Sequence, residues 1–324
     1  MNFKGKNILV TGAAGFIGSN LTYELLKLGA DVTGIDNLFN GRIENLREIL
    51  TNKSFKFIKG DIRDLNLLLE ISKDIDIIYH EAAFTSVPQS ILMPESCNDV
   101  NVNGTLNILN AARKRGVDKI IYASSSSVYG DTPILPKKED MPRIPISPYG
   151  VSKLACEGYM QAFYHVYGMK TVCLRYFNVF GPRQQDSPYS GVIAIWLGRI
   201  IANKDLIIYG NGEQSRDFTY VNDVVMGNLL ADKDNISGEI INIGAGSPIT
   251  LNDLAKLMLS ITNKQELKII YADPRPGDIV HSFADITKAK KLLDFTPNFT
   301  QEEGLKHYFS WYCNKYNIDL KIKN

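Results

Sequence analysis

The sequence predicts an α/β protein with a doubly wound parallel sheet, followed by a smaller mixed α/β lobe at the C-terminal end. Short apolar runs alternate with amphipathic stretches through the first half of the 324 residues, and this alternation is typical of βαβ units. After residue 175 the pattern becomes irregular, and glycine, proline and tyrosine cluster at 180–191. A chain of this length can bury a large core in two lobes. We therefore expect one domain at 1–175, joined by a later strand near 238–245, and a second domain at 176–324.

The elements are predicted in chain order. Apolar runs predict strands at residues 7–10, 32–35, 55–59, 75–80, 119–123 and 171–175. The amphipathic stretches between them predict helices at residues 19–28, 64–71, 100–115 and 148–167. Gly116 and Gly168 stand where the last two of these helices should end. In the second lobe we expect strands at 206–209 and 238–243, and helices at 191–202, 221–231, 250–261 and about 302–312.

Charge and composition argue against several classes of protein. Lysine and arginine total 36 against 35 acidic residues, a formal net charge of +1, which gives no electrostatic footprint for nucleic acid or an anionic membrane. No apolar run is long enough to span a bilayer, and the first residues carry no cleavage signal. The four cysteines and four histidines lack metal-ligand spacing. We expect reduced thiols, no metal site and a cytoplasmic location.

A glycine-rich loop follows the first predicted strand and opens the first predicted helix. Gly12, Gly15 and Gly18 form a GxxGxxG pattern, which permits a tight turn and lets the backbone approach a pyrophosphate at the helix N-terminus. Asp36 ends the next strand, where a carboxylate can accept hydrogen bonds from the adenosine ribose and repel a 2′-phosphate. The loop therefore predicts a dinucleotide site that favours NAD over NADP.

The pair of residues that follows the third predicted strand has two possible roles. Asp61 and Ile62 stand where a doubly wound sheet would place residues beside the adenine. A simple turn at the end of a strand explains the same pair equally well.

Tyr149 and Lys153 are four positions apart on the helix predicted at 148–167, so their side chains share one face. An ammonium close to a phenol favours the phenolate, and we expect Lys153 to lower the pKa of Tyr149. Such a base can take a proton from a sugar hydroxyl while the carbon gives up hydride. The serine run at 124–127 follows the strand predicted at 119–123, so one or two of its hydroxyls should face the same crevice. Alone, the Tyr-Lys pair is typical of an amphipathic helix; beside a dinucleotide loop it predicts a catalytic site.

Motifs of one family recur in order over nearly the whole chain. They occupy residues 11–18, 36–37, 60–63, 80–83, 101–105, 124–130, 147–153, 175–182, 215–218 and 275–278. Through them the sequence resembles the extended short-chain dehydrogenase/reductase family, and within it the nucleotide-sugar 4-epimerases. The resemblance implies a Rossmann-type NAD-binding domain and a lobe that binds a UDP-sugar.

The resemblance also implies roles for individual residues. Tyr149 matches the catalytic base, Lys153 its partner, and Ser125 the catalytic hydroxyl, with Ser126 as the next candidate. Cofactor contacts are implied for Gly12, Gly15, Phe16, Ile17, Gly18, Asp36, Asn37, Asp61, Ile62, Ala82, Ala83, Asn101, Tyr149, Lys153 and Phe177. Substrate contacts are implied for Ser86, Asn178, Val192, Tyr209, Arg216, Arg275, Asp278 and Ser282. Of these, Asn178, Arg216 and Arg275 match residues that hold the nucleotide diphosphate, a task that suits the fork of arginine.

The chemistry implied by the resemblance is redox-neutral and uses a tightly bound NAD. Tyr149 removes the C4 hydroxyl proton of the sugar while NAD accepts the C4 hydride. The 4-keto sugar then turns about its link to the anchored diphosphate, and the hydride returns to the other face. The family also implies a homodimer, formed through helices near 100–115 and 152–167.

The expected substrates are UDP-N-acetylglucosamine and UDP-N-acetylgalactosamine, with UDP-glucose and UDP-galactose accepted as well. Family members restricted to plain hexoses carry a tyrosine where this chain has Ser282, and a small residue there leaves room for an acetamido group. Ser86 resembles the same N-acetyl-preferring branch. A UDP-glucose 4-epimerase without this breadth is the first alternative. A UDP-glucuronate 4-epimerase is the second, with Arg183 as a candidate for the carboxylate.

Other activities of the same fold fit the sequence less well. A nucleotide-sugar 4,6-dehydratase needs an acidic pair where Ser126 and Ser127 stand. A simple NAD(P) reductase should release its coenzyme in each turnover. A protein that only senses dinucleotide should have lost the Tyr149 and Lys153 pair, which this chain retains.

Overall fold

A seven-stranded parallel sheet forms the centre of the protein. The computed structural model describes residues 2–184, 191–274 and 280–323. Arg275 and Asp278, both predicted substrate contacts, lie outside the described residues.

The strands and helices follow one another along the described chain. The strands are β1 (Asn7–Thr11), β2 (Asp31–Asp36), β3 (Phe55–Lys59), β4 (Ile77–His80), β5 (Lys119–Ser125), β6 (Lys170–Tyr176), β7 (Val179–Phe180), β8 (Leu206–Tyr209), β9 (Ser215–Asp217), β10 (Thr219–Tyr220), β11 (Glu239–Ile243), β12 (Pro248–Thr250), β13 (Ile269–Ala272) and β14 (His281–Ser282). The helices are α1 (Phe16–Lys27), α2 (Leu65–Ile71), α3 (Val87–Leu92), α4 (Pro94–Asn98), α5 (Gly104–Arg115), α6 (Pro148–Tyr167), α7 (Val192–Ile201), α8 (Val221–Leu230), α9 (Leu251–Ile261), α10 (Thr287–Leu293) and α11 (Gln301–Tyr316).

The central sheet has the order β3–β2–β1–β4–β5–β6–β11, and neighbouring strands are parallel. The chain starts in the middle, at β1, and winds first to one side and then to the other. This is the Rossmann-type doubly wound arrangement, so the predicted fold class is confirmed. The crevice where the winding changes direction lies between β1 and β4, and ligands bind beyond the carboxyl ends of such strands.

The inner strands β1, β4, β5 and β6 are buried on both faces. Ile8 and Val10 of β1 pack into one apolar core with α1 and α8, whereas Leu9 packs into a second core with α5 and α6. Because helices cover both faces, the strands appear in the sequence as continuous apolar runs rather than alternating ones. Polar residues are thereby concentrated at the open carboxyl edge.

The smaller lobe has a core of its own. Trp196 of α7, Ile208 of β8, Met258 of α9 and Phe309 of α11 belong to this third apolar cluster. Its strands form the small sheets β10–β7, β12–β9–β14 and β13–β8. One later strand, β11, leaves this half of the chain and pairs with β6 in the central sheet. The division of the chain near residue 175 stays a prediction.

Several short elements differ from the prediction. The helix predicted at 19–28 begins earlier, at Phe16, because Gly15 serves as its N-cap residue. The helix predicted at 100–115 is a π-helical turn over Asp99–Asn103 followed by α5. The elements that were not predicted are α3, α4, α10, β7, β9, β10, β12, β13 and β14. Each spans too few residues to display a clear hydrophobic period.

Candidate active site

A cavity of about 940 Å³ lies at the carboxyl edge of the central sheet. Predicted site residues from distant parts of the sequence line it together. They are Gly12, Gly15, Phe16, Ile17, Gly18, Asp36, Asn37, Ile62, Ala82, Ala83, Ser86, Ser125, Ser126, Tyr149, Lys153, Asn178, Arg216 and Ser282. Cofactor, catalytic and substrate residues predicted from separate motifs therefore line one cavity.

The glycine loop has no room for side chains where the backbone closes on itself. A Cβ atom on Gly18 would lie 2.2 Å from the carbonyl oxygen of Gly12. Gly12 has a φ of +69° and a Cβ there would lie 2.8 Å from the backbone nitrogen of Ala82. α1 then begins at Phe16 with no side-chain cap and no acidic residue in its first turn. Its first N–H groups are thus left for a ligand, and the loop fits the pyrophosphate of NAD.

Asp36 is fixed at the end of β2 by backbone donors. Its Oδ2 accepts from the Ala14 nitrogen at 3.0 Å, and its Oδ1 accepts from the Leu38 nitrogen at 2.8 Å. Burial raises the pKa of this carboxyl above its ordinary value. A Cβ on Gly41 would lie 2.7 Å from either carboxyl oxygen, so the following loop packs directly against Asp36. The carboxyl fits the place of a ribose acceptor in a dinucleotide site.

Asp61 supports the cavity wall from behind. Asn37 donates to its Oδ2 at 2.8 Å, and Arg63 donates to both carboxyl oxygens, at 3.0 and 2.9 Å. The guanidinium of Arg63 holds the pKa of Asp61 well below its usual range. Asn37 and Arg63 reach the cavity, whereas Asp61 positions them.

Four other predicted contacts are also not on the described cavity wall. The Asn101 side chain accepts from the Phe84 nitrogen and donates to the Phe84 carbonyl and the Ser152 hydroxyl. Phe177 is fully buried in the core. The remaining two are Val192, the first residue of α7, and Tyr209, which ends β8 with its side chain 36% exposed. Contacts of these residues with a ligand stay predictions.

Tyr149 is the second residue of α6, and Lys153 follows one turn later. Pro148 begins the helix, and the Ser147 side chain caps it by accepting from the Gly150 nitrogen. The Lys153 ammonium donates to the Ala123 carbonyl at 2.7 Å and lies 5.9 Å from the centre of the Tyr149 ring. The helix thus presents both side chains to the cavity at the end of β5.

The pKa of Tyr149 differs from the sequence prediction. Burial raises it to about 12, although a hydrogen bond with the Ser125 side chain acts in the opposite direction. The expected net lowering of this pKa was wrong for the polypeptide alone, because loss of hydration is the largest effect on the phenol. Burial also lowers the pKa of Lys153 below its ordinary value.

The serines at the end of β5 divide into different environments. Ser124 also lines the cavity, but its hydroxyl donates to Glu157 Oε1 at 2.6 Å. Glu157 is itself held by Arg175 through two hydrogen bonds of 2.8 Å, in a fully buried ion pair. Ser125 bonds to Tyr149, and Ser126 lines the cavity. Ser124 thus ties β5 to α6, and the role of Ser125 and Ser126 in proton transfer stays a prediction.

Four of the predicted substrate residues line the same cavity although they are far apart in sequence, namely Ser86, Asn178, Arg216 and Ser282. Ser282 of β14 pairs with Arg216 of β9 in parallel register. Ser282 is 9% exposed, and Arg216 Nη1 donates to the carbonyl oxygen of Val280 at 3.0 Å. Ser86 lines the same cavity and caps α3, where its hydroxyl accepts from the Gln89 nitrogen at 3.3 Å.

Sequence reasoning missed one acidic residue of the cavity. Glu81 directly follows β4, and its Oε1 accepts a 2.8 Å hydrogen bond from the Tyr176 hydroxyl. Burial raises the pKa of Glu81 to about 7. The signal available was an acidic residue at the carboxyl end of an apolar strand, inside the motif at 80–83.

In residues 2–184, 191–274 and 280–323, no three histidine, cysteine, aspartate or glutamate side chains gather as a metal site. Across the same ranges no helix combines the length and apolarity needed to cross a membrane.

Comparison with known proteins places this geometry in a family. Residues 8–244 match the model of the NAD dependent epimerase/dehydratase family. UDP-glucose 4-epimerase of Mycolicibacterium smegmatis is 37% identical over 95% of this chain and 98% of its own.

Two solved structures share the whole architecture. UDP-N-acetylglucosamine 4-epimerase from Methanobrevibacter ruminantium, in complex with UDP-N-acetylmuramic acid, superposes with a TM-score of 0.92 at 39% identity, over 96% of this chain and 99% of that one. UDP-glucuronic acid 4-epimerase from Bacillus cereus, with UDP-glucuronic acid and NAD, gives a TM-score of 0.89 at 35% identity, over 96% and 100% of the two chains. With the glycine loop, Asp36 and the Tyr149–Lys153 pair on one cavity, these matches show that the chain is an NAD-dependent enzyme and belongs to the NAD dependent epimerase/dehydratase family.

Proposed function

We propose that this enzyme epimerises UDP-hexoses at C4, and that it interconverts UDP-N-acetylglucosamine and UDP-N-acetylgalactosamine. UDP-glucose and UDP-galactose are the further substrates. The observation that carries the choice of sugar is Ser282, a small side chain on the wall of the cavity that also contains Tyr149. A serine leaves space that a tyrosine would fill, and close-packed walls do not yield easily to an added acetamido group.

The chain supplies the acid–base chemistry of the reaction. Tyr149 takes the proton of the C4 hydroxyl and later returns it, with Ser125 hydrogen-bonded to the phenol as a relay. Lys153, fixed to the end of β5, contributes positive charge that opposes the effect of burial on the phenol. NAD, bound along the glycine loop and Asp36, supplies a reversible acceptor for the C4 hydride.

Firm anchoring of the diphosphate lets the sugar present either face to the same reacting groups. We assign the diphosphate to Arg216 and Asn178, which line the cavity, and to Arg275, which lies outside the described residues. The sugar itself meets the small side chains of Ser86 and Ser282. Weak sugar contacts suit this chemistry, because a tightly held pyranose could not turn over between the two hydride transfers.

Two alternative substrates or reactions find less support. A glucuronate substrate needs a cation for its carboxylate, but the guanidinium of Arg183 lies 3.9 Å from the centre of the Tyr23 ring and donates to Asn20 at 2.6 Å. A 4,6-dehydratase needs an acidic pair after β5, where the chain has Ser126 and Ser127.

We further propose that the enzyme is a cytoplasmic homodimer. α6 leaves Val151, Val166 and Tyr167 at least half exposed, at 53%, 69% and 50%. Apolar side chains along one long helix support an interface between two copies of the chain. The four cysteines are all free and buried, which suits a reducing compartment.

The decisive experiment is incubation of the purified enzyme with UDP-N-acetylglucosamine, UDP-glucose or UDP-glucuronate in separate reactions, without added cofactor. Chromatographic separation of the products should reveal UDP-N-acetylgalactosamine and UDP-galactose. Conversion of UDP-glucose alone would contradict the assignment of the N-acetylated sugar. Conversion of UDP-glucuronate alone would contradict the argument that the contacts of Arg183 with Tyr23 and Asn20 disfavour glucuronate. Failure with all three sugars would overturn the proposed function.

A further inference from the structure

Glu81 is an acidic side chain that lines the catalytic cavity. The proposed epimerase mechanism gives it no role. It receives the hydroxyl hydrogen bond of Tyr176, a residue that ends β6 and also lines the cavity. Asn228 of α8 holds that hydroxyl from the other side, with its Nδ2 2.7 Å from the Tyr176 oxygen. The ring of the neighbouring His80 is instead held between two threonine hydroxyls. The Tyr176 hydroxyl, itself held by Asn228, therefore fixes the carboxyl of Glu81 in the cavity wall.

Lys153 is the one cationic side chain among the described groups that face Glu81. From β4 and β6 come the phenols of Tyr79 and Tyr176, and from α6 come Tyr149 and Lys153, each of which interacts electrostatically with Glu81. α8 contributes the neutral amide of Asn228. Among these groups Lys153 alone is cationic. Glu81 and Lys153 therefore set the charge balance around Tyr149.

The same charge balance acts on the nicotinamide. The sugar carbon that reacts must lie at the Tyr149 hydroxyl, and the hydride acceptor must lie about 3–3.5 Å from that carbon. Glu81 lines the same cavity as Tyr149 and Lys153, so its charge acts on a nicotinamide ring that is bound against Tyr149. Charges that are shielded from water interact strongly over such distances.

We propose that the Glu81 carboxylate makes the bound nicotinamide harder to reduce, because it favours the cationic oxidised ring over the neutral reduced one. This inference rests on the proposed placement of Tyr149 and Lys153 at the reacting carbon. In a redox-neutral reaction the electrons must be returned to the sugar in every turnover. A carboxylate that disfavours reduction of the nicotinamide therefore helps to keep the enzyme in its active, NAD⁺-bound form.

Proton linkage gives the proposal a distinct signature. Reduction of NAD⁺ to NADH takes up two electrons and one proton. Burial raises the pKa of Glu81 to about 7, and the cationic ring lowers that pKa relative to its value beside the neutral ring. Around neutral pH, reduction of the cofactor therefore brings a further proton onto Glu81. A glutamine at this position takes up no such proton.

The test is an anaerobic redox titration of the holoenzyme, with dithionite as the reductant and viologen mediators. Reduced nicotinamide is followed by its near-ultraviolet absorbance. At pH 8 the Glu81→Gln variant should favour the reduced cofactor about tenfold more than the wild type, which raises the midpoint potential by about 30 mV. This difference should shrink as the pH is lowered below 7, where Glu81 becomes neutral in the wild type.

Matched variants separate charge from structure. Glu81→Asp keeps the charge and should retain the pH-dependent midpoint, whereas Glu70→Gln makes the same exchange on the exposed face of α2 and should leave the midpoint unchanged. Tyr176→Phe removes the hydrogen bond to Glu81, which raises the pKa of Glu81 and moves the bend in the pH profile to higher pH. It serves as the test if Glu81→Gln does not retain NAD.

The outcomes distinguish this inference from the proposed function. Equal midpoint potentials in the wild type and Glu81→Gln at every pH would overturn the role of Glu81. If Glu81→Gln loses its cofactor, the role is overturned instead by a Tyr176→Phe variant whose midpoint potential depends on pH in the same way as in the wild type. The same preparations are assayed for epimerisation of UDP-sugars. A wild type that fails this assay overturns the proposed function, while the redox titration still reports on Glu81.

Discussion

The Lys153 ammonium donates a 2.7 Å hydrogen bond to the carbonyl of Ala123, and this bond joins the catalytic helix to the end of β5. The same ammonium lies 5.9 Å from the centre of the Tyr149 ring. Lys153 therefore acts on the phenol through space, from a fixed position. Because burial raises the pKa of Tyr149 to about 12, the phenol needs a further positive charge nearby to act as a base, and the oxidised nicotinamide would supply it.

Tyr149→Phe should remove the acid–base group and leave the shape of the cavity nearly unchanged. A positioned general base contributes about 10²–10⁴-fold to a rate, so we expect turnover to fall by that range. Binding of UDP should stay close to the wild type, as measured by calorimetry. Tyr271→Phe makes the same exchange at a side chain that is 55% exposed in the smaller lobe and should keep full activity. Wild-type turnover in Tyr149→Phe would contradict the catalytic assignment.

Gly18→Ala should expel the cofactor for a steric reason. The new Cβ would lie 2.2 Å from the Gly12 carbonyl oxygen and 3.2 Å from the Ala13 Cα, and backbone atoms cannot move aside as a flexible side chain can. We expect a loss of stability of about 1–3 kcal/mol and little NAD in the purified protein, measured by thermal unfolding and by nucleotide extraction.

Gly158→Ala is the matched control, because no heavy atom lies within 4 Å of the new Cβ on α6. In this exposed position of a helix the exchange should stabilise the protein by about 0.5–1 kcal/mol. A Gly18→Ala protein that purifies with a full complement of NAD would show that the loop is not the cradle of the pyrophosphate.

Asp223 on α8 should make the stability of the protein fall as the pH rises from about 4 to 6. Burial raises the pKa of this carboxyl to about 6, even though the backbone N–H groups of Asn298 and Phe299 donate to it. Between the unfolded and folded pKa values the folded state binds more protons than the unfolded state, so the free energy of unfolding decreases with pH in this interval. The contribution is about 1–3 kcal/mol once the pH exceeds both values.

Asp223→Asn removes that titration. Urea unfolding at pH 4.5 and pH 7.5 should therefore show the variant gaining stability relative to the wild type at the higher pH, whatever its stability at the lower one. Asp234→Asn makes the same exchange at an exposed position and controls for the change in formal charge. An equal difference between Asp223→Asn and the wild type at both pH values would contradict the assignment.

The parts of the fold that sequence predicts are those with a local cause. Ile8, Leu9 and Val10 are buried because β1 has helices on both faces, and such burial leaves a continuous apolar run. Tyr149 and Lys153 share a wall because four residues make about one helical turn. The role of Gly18 in the loop can be predicted from the sequence because the loop geometry excludes a side chain there.

The parts that sequence does not predict depend on distant partners. Ser282 reaches the cavity through pairing of β14 with β9, far away in the chain. Glu81 is fixed by Tyr176, 95 residues later. Lys153 bonds to a backbone carbonyl rather than to the phenol, a choice that depends on where α6 docks against β5. No periodicity in the sequence encodes such distances, since they arise only when the sheet and its helices pack together.

Ser282→Tyr tests the choice of sugar directly. Ser282 is 9% exposed on the cavity wall, so a tyrosine there would occupy the space that the acetamido group needs. We expect kcat/KM for UDP-N-acetylglucosamine to fall by about 10–200-fold, while UDP-glucose is still converted, because the plain hexose lacks the group that meets the ring. Ser282→Ala keeps a small side chain and should retain both activities. Steady-state assays of both sugars decide the matter, since an equal loss on the two substrates would mean that residue 282 does not select between them.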